Sequence, residues 1–173
     1  ASLRLCPTAT TCWTAPSFWP YVTEQIMFNP SREQARRFYF DTWAKHRASQ
    51  TLTDLEKIAL TVMLLHPEYH SLLDKPDHYV DKDYSPEAGQ TNPFLHMSMH
   101  VAIHEQLTID QPQGIRDHYK GLCEHTQDQH AAEHEMMDCL GEMIWHAQRH
   151  QTNPNPDIYF ACLNKKRGLS ATE

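Results

Sequence analysis

Three histidine pairs with one spacing are the residues of this chain best suited to chemistry. Each has the pattern His-x-x-x-His, and the pairs are His66/His70, His96/His100 and His130/His134. Residues four apart lie on one face of an α-helix, one turn apart, so the two imidazoles of a pair can converge on one ion. Imidazole is the commonest metal ligand in proteins, and the chain has thirteen histidines. The pairs therefore suggest a metal site.

Two of the pairs lie within apolar stripes when the sequence is drawn on a helical wheel of about 100° per residue. Ile103 lies within about 20° of His96, and His100 lies about 40° away. His130 and His134 have the same relation to the apolar residues that follow them. Burying four imidazoles costs free energy unless their nitrogens are satisfied, and a metal ion satisfies several at once. The two pairs therefore predict a buried metal site.

Two further residues belong to the predicted site. Pro67 lies between His66 and His70, so we expect His66 to cap its helix and His70 to be the better ligand. Glu133 lies at the edge of its apolar stripe, about 60° from His130. A mixed set of imidazoles and a carboxylate suits iron, manganese or zinc. The expected ligands of this metal ion are His70, His96, His100, His130, Glu133 and His134.

The sequence supports three functions that differ in what the histidines do. The first is a metal-binding helical bundle with a buried histidine-rich site, extending to redox or oxygen-related chemistry. The second is a non-catalytic helical interaction module whose core histidines are hydrogen-bonded. The third is an acid–base enzyme that uses one histidine with Glu133 or Glu105 and no metal. We favour the first, and the pattern identifies neither a catalytic residue nor a small-molecule substrate.

The elements that must position these histidines are helices. Apolar residues recur at helical spacing, prolines stand at helix starts and the connectors are short, which favours an all-α bundle of five to six helices. Ser31, Thr53 and Asp128 are predicted to cap helices. The predicted helices cover 31–49, 53–65, 93–107, 115–125, 129–150 and 156–166, with a short segment over 67–73 and a polar loop over 74–91.

One domain is predicted, flanked by two segments of different composition. A length of 173 residues suits a single domain. Residues 1–26 contain scattered prolines and aromatic residues but no continuous apolar stretch of a signal peptide, which indicates an irregular N-terminal extension. Orderly helical sequence follows at Met27, which we take as the natural start. The predicted helical domain is 27–167, and 168–173 form a tail.

Charge and composition exclude several kinds of partner. The chain has 15 basic and 22 acidic residues and a net charge of −7. Binding to nucleic acid or to anionic membrane surfaces is therefore disfavoured. No apolar stretch approaches the roughly 20 residues needed to cross a bilayer. Met97, Met136 and Met143 are expected to pack on a second helix or on a partner subunit, which leaves a homodimer open.

The number and spacing of the cysteines indicate the redox state of the compartment in which we expect the protein. The five cysteines are scattered and lack any Cys-x-x-Cys pattern. Their odd number and spacing argue against both a disulfide framework and a thiolate zinc site. Haem attached through Cys-x-x-Cys-His is disfavoured on the same ground. Free thiols suit a reducing compartment, so we expect a cytoplasmic protein.

Several long strings resemble those of one protein family. They are MFNPSREQARRFYFDTW (27–43), HPEYH (66–70), GQTNPFLHMSMH (89–100), IDQPQGI (109–115), HAAEH (130–134) and LGEMIW (140–145). From Met27 to about Gln148 the chain resembles a bacterial family of small uncharacterised proteins, domain of unknown function family 1841. The resemblance implies a cytoplasmic bacterial protein and transfers no catalytic residues. Residues 1–26 and the tail after Gln151 depart from the family pattern.

Overall fold

Helices are the regular elements of the computed structural model, which describes residues 31–84 and 91–169. The predicted extension over 1–26 and most of the predicted tail lie outside these ranges. A 3₁₀ turn at Pro67–Tyr69 follows the second helix. In chain order the α-helices are α1 (Arg32–Arg47), α2 (Asp54–Leu65), α3 (His70–Leu73), α4 (Pro76–Tyr79), α5 (Pro93–Ile109), α6 (Ile115–Thr126), α7 (Gln129–His150) and α8 (Pro156–Lys166).

The all-α class predicted from the sequence is confirmed for these ranges, and the predicted number of helices is slightly low. The six long helices correspond to the six predicted ones, the 3₁₀ turn and α3 occupy the predicted short segment over 67–73, and α4 is an additional single turn. Helix α4 begins at Pro76, inside the predicted polar loop, because proline at the first helical position is already set for helix geometry. Within the described residues, no helix has both the length and the apolar character needed to cross a membrane.

Local capping fixes where the helices begin. The Thr53 hydroxyl accepts from the backbone N–H of Glu56, and the Glu56 carboxylate accepts from the Thr53 N–H at 2.8 Å. Ser31 and Gln34 form the same reciprocal arrangement at the start of α1. The Asp128 carboxylate accepts from the N–H of Ala131 at 3.0 Å. These bonds satisfy first-turn donors that have no partner inside a helix, so α7 begins just before His130.

Two apolar clusters form the interior, and α5 contributes to both. Phe94, Met97 and Val101 pack in the first cluster with residues of α1, α2 and the segment over 72–80. Ile103 packs in the second cluster with residues of α6, α7 and α8. Three methionines were expected to pack on a second helix or on a partner subunit. All three are buried within the chain, namely Met97, Met136 and Met143.

A disulfide links α7 to α8, which corrects the expectation of free thiols. Cys139 and Cys162 are 23 residues apart in sequence, and their Cα atoms lie 5.5 Å apart. Packing of the two helices brings them within bridging range, which cysteine counting along the sequence could not reveal. Cys123 is a free cysteine.

The disulfide is expected to stabilise the fold by restricting the unfolded chain. A closed loop of about 23 residues corresponds to about 3 kcal/mol in the chain-entropy estimate. We therefore predict that Cys162→Ser lowers the free energy of unfolding by about that amount, measured by urea denaturation in non-reducing buffer. The matched control, Cys123→Ser, should leave the value nearly unchanged. Equal stabilities of the Cys162→Ser variant and the oxidised wild type would contradict the prediction.

Candidate metal centre

Five imidazoles from three helices meet where the two apolar clusters adjoin. His66 forms the C-cap of α2, His96 and His100 lie on α5, and His130 and His134 lie on the first two turns of α7. Neighbouring ring centroids are 4.4 to 6.1 Å apart. One nitrogen from each of His66, His96, His100 and His134 lies within 4.8 Å of the other three. We refer to the five residues as the histidine cluster.

The Nε2 atom of His66 is the centre of the closest contacts in the cluster. It lies 2.9 Å from Nε2 of His96 and 3.1 Å from Nε2 of His130. The other ring nitrogen of His66, Nδ1, lies 2.8 Å from the carbonyl oxygen of Val62. Because a carbonyl can only accept, Nδ1 carries the hydrogen, and Nε2 of the neutral ring has a lone pair. That lone pair can accept a hydrogen from His96 or His130, or it can bind a cation.

The proline after His66 explains why this ring joins the cluster. Helix α2 ends at Leu65, and His66 has φ −121° and ψ 68°. The residue before a proline is disfavoured in the helical region, so the chain leaves the helix at His66. The ring becomes buried, with 1% exposure, and stacks on Tyr69. The His-Pro step was read from the sequence as a reason to discount His66, whereas it is the local signal that turns this residue inward.

His70, which the sequence favoured as a ligand, does not join the cluster. Its Nε2 lies 2.8 Å from the carbonyl oxygen of Met63. Its ring packs against Trp43, with centroids 4.6 Å apart. His70 is therefore a hydrogen-bonded histidine that packs against Trp43, and His66 occupies the position in the cluster that was predicted for His70.

Glu133, predicted as a ligand, lies behind His100 instead. Its Oε2 is 2.8 Å from Nδ1 of His100, and its Oε1 is 3.5 Å from Nε2 of His104. His100 is fully buried, and Glu133 is 4% exposed. Among the described residues, Nε2 of His100 has no hydrogen-bond partner. Since Nδ1 faces the carboxylate, Nε2 is the nitrogen of His100 that is available to an ion.

Burial keeps three rings of the cluster neutral near pH 7. It lowers the pKa of His96 to about 4, and repulsion from neighbouring imidazoles contributes. Burial also lowers the pKa values of His66 and His134. For Glu133, burial acts to raise the pKa, but hydrogen bonding with His100 and His104 outweighs it and lowers the pKa to about 2. Neutral imidazoles are the form that binds metal, so these rings need not lose protons first.

Two cavities lie away from the cluster. Each has a volume of about 440 Å³; one lies between α1 and the start of α2, and the other is lined by residues 74–79. A metal-free acid–base enzyme would need a wide pocket at the histidine pairs, and neither cavity provides one. Glu105, its second candidate base, is half-buried, and burial raises its pKa.

The fold and the cluster together define an all-α protein with a histidine-lined centre. Residues 31–165 match the family described as Domain of unknown function (DUF1841). The chain belongs to this family, as the resemblance of its sequence strings indicated, and all five cluster residues lie in the matched range. No curated protein and no solved structure matches the chain.

The lowered pKa of His96 makes the stability of the metal-free protein depend on pH. The pKa of His96 falls from 6.5 to about 4 on folding, so the unfolded chain binds a proton more readily. Stability should therefore decrease as the pH falls from 6.5 to about 4. The free energy of urea unfolding, measured with a chelator present, tests this. His96→Gln should lose less stability over the same interval, and an identical loss in both proteins would contradict the assignment.

Proposed function

We propose that this protein binds a transition-metal ion through the histidine cluster. The observation that carries the proposal is the separation of Nε2 of His66 from Nε2 of His96 and of His130, 2.9 and 3.1 Å. At metal–nitrogen distances of about 2.0–2.1 Å, neighbouring ligands of one ion are about 2.9–3.4 Å apart. Nε2 of His66 therefore has the spacing of a fellow ligand from each of the other two nitrogens, and one nitrogen from each of His66, His96, His100 and His134 lies within 4.8 Å of the other three.

The buried nitrogen of His100 also supports the proposal. A buried polar atom without a partner costs about 1–3 kcal/mol, and Nε2 of His100 has no partner among the described residues. In the alternative function, an interaction module without chemistry, the cluster nitrogens pair with carbonyls or carboxylates. Nδ1 of His66 and Nδ1 of His100 do so. Nε2 of His66 instead faces Nε2 of His96 and of His130, from one of which it can accept a hydrogen. The nitrogen that favours the metal is Nε2 of His100, which has no partner among the described residues.

The donor set narrows the choice of metal. The expectation of iron, manganese or zinc depended on a carboxylate ligand, and Glu133 bonds to His100 instead. The remaining donors are imidazoles, which suit zinc, iron, copper and nickel, whereas manganese prefers oxygen ligands. We therefore propose zinc or iron among the three expected metals. Redox or oxygen-related chemistry would follow from iron and not from zinc.

We also propose that this protein is bacterial and cytoplasmic and that it does not bind nucleic acid. The family resemblance and the net charge of −7 support it. The Cys139–Cys162 disulfide weighs against a reducing compartment.

A pair of variants on either side of Pro67 tests which histidine belongs to the site. We predict that the wild type binds zinc or iron(II) and that His66→Gln strongly weakens binding, because His66 lies at the centre of the closest contacts. His70→Gln should retain binding, since His70 bonds to the carbonyl of Met63. Metal content by elemental analysis and titration of untagged protein measure this. A wild type that takes up no zinc, iron(II), copper or nickel would refute the proposal.

A second histidine pair on α7 could also bind added metal, so both of its residues should be substituted in this experiment. His146 and His150 are four residues apart, with ring centroids 6.0 Å apart. Such a pair can chelate added metal without being a functional site. All titrations should therefore use a parent protein with His146→Gln and His150→Gln. Visible spectra of the cobalt(II) form then report the number and type of ligands at the histidine cluster.

Metal binding should stabilise the fold, because the cluster joins elements of both apolar clusters. A ligand that binds only the folded state adds about 2.7 kcal/mol when its concentration is 100 times its Kd. We predict a corresponding rise in the free energy of unfolding of the parent protein. The rise should be absent in His66→Gln at the same metal concentration. An equal rise in both proteins would place the binding outside the cluster.

A further inference from the structure

We infer that Glu133 is the positioning residue of the metal centre: it holds His100 from the neighbouring helix and sets its strength as a donor, without binding the metal. The inference rests on the proposed function, since it concerns how the same centre is tuned. It gives Glu133 a role different from the ligand role that its sequence position suggested.

Both carboxylate oxygens of Glu133 face histidines of α5. Oε2 lies 2.8 Å from Nδ1 of His100, and Oε1 lies 3.5 Å from Nε2 of His104. The carboxylate is 4% exposed, so few water molecules compete for it. Oε2 could bind a metal only by giving up a buried, charge-assisted hydrogen bond, which costs more than a neutral one, and Oε1 faces His104 on the side away from His100 Nδ1. The geometry therefore favours an indirect role.

The carboxylate acts on His100 in two ways. Accepting the Nδ1 hydrogen fixes the tautomer in which Nε2 has the lone pair, and it holds the orientation of the ring. The negative charge also draws the Nδ1 hydrogen toward itself, which makes Nε2 more basic and a stronger donor. His66 has a weaker partner, because its Nδ1 donates to the neutral carbonyl of Val62. The two most buried rings of the cluster are thus not equivalent.

The hydrogen bond also connects the two helices that supply four of the five rings. Glu133 lies on α7 between His130 and His134, whereas His100 lies on α5. The string HAAEH (130–134) therefore carries two rings of the cluster together with the carboxylate that orients a third. Movement of α7 relative to α5 would change both the ligand positions and the donor strength of His100.

Replacing the negative carboxylate of Glu133 by a neutral amide tests the positioning role. Glu133→Gln keeps an oxygen that can accept the Nδ1 hydrogen but lacks the negative charge. We expect zinc affinity, measured by competition with a chromophoric chelator, to fall about 10- to 100-fold. The stoichiometry and the ligand number shown by the cobalt(II) spectrum should not change. The matched control, Glu105→Gln, removes a half-buried carboxyl of α5 outside the cluster and should retain the wild-type affinity.

The route through His100 is tested by a double-mutant cycle. In a His100→Gln background, Glu133→Gln should have no further effect on zinc affinity, because the ring on which it acts is gone. If His100→Gln abolishes zinc binding, the cycle cannot be measured. The Nδ1 hydrogen of His100 in the zinc-bound protein is then observed by proton NMR instead. Its proton NMR signal should lie far downfield in the wild type and move upfield in Glu133→Gln. An unmoved signal would overturn the inference.

The remaining outcomes separate this inference from the proposed function. A wild type that binds zinc, with an affinity unchanged in Glu133→Gln, refutes the positioning role and leaves the metal site standing. A cobalt(II) spectrum that loses a ligand in Glu133→Gln shows that Glu133 binds the metal directly, which also overturns the inference. A wild type without metal affinity refutes the proposed function itself.

Discussion

The constraint on which the rest of this structure depends is the need to satisfy the nitrogens of imidazoles placed between two apolar clusters. Helix α5 belongs to both, with Val101 in one and Ile103 in the other. His100 lies next to this change and is fully buried. A buried ring must find partners for two nitrogens, and the protein partners described account for one of them. One nitrogen at the centre of the fold, Nε2 of His100, is thus left without a partner among the described side chains.

Simple backbone rules bring the other rings to this centre. Pro67 ends α2 and turns His66 away from the helical path. The Asp128 cap fixes the start of α7, so that His130 and His134 occupy its first two turns. The cluster is therefore positioned by the same local interactions that define the helices.

Much of the fold was predictable because its signals are local. Caps such as Thr53 and Asp128, and prolines such as Pro156, act within one turn and identify helix starts from the sequence alone. Helical periodicity also predicted that the two pairs on α5 and α7 face inward, and the structure buries His100 fully but leaves His96 and His130 half-buried. The choice between His66 and His70 could not be made in this way. It depends on where α2 ends relative to α5 and on the ring of Trp43, which lies 4.6 Å from that of His70.

Contacts between helices set the other limit of the sequence analysis. A helical wheel placed Glu133 at the edge of its stripe, but it contains no information on which side chain of α5 lies opposite. The Cys139–Cys162 disulfide depends on the packing of α7 against α8 in the same way. In both cases the sequence shows which residue types are present but not their partners, because spacing along one helix cannot give the distance to a residue on another helix.

The charge of the centre bears on the chemistry it can support. Its donors are imidazoles, and the anion hydrogen-bonded to them is Glu133, one ring removed behind His100. A divalent ion held by these rings would keep most of its charge, and oxidation to a trivalent state would add charge to a half-buried site with no anionic ligand. Such a donor set would favour a divalent over a trivalent ion, and it would suit zinc, which does not change its oxidation state.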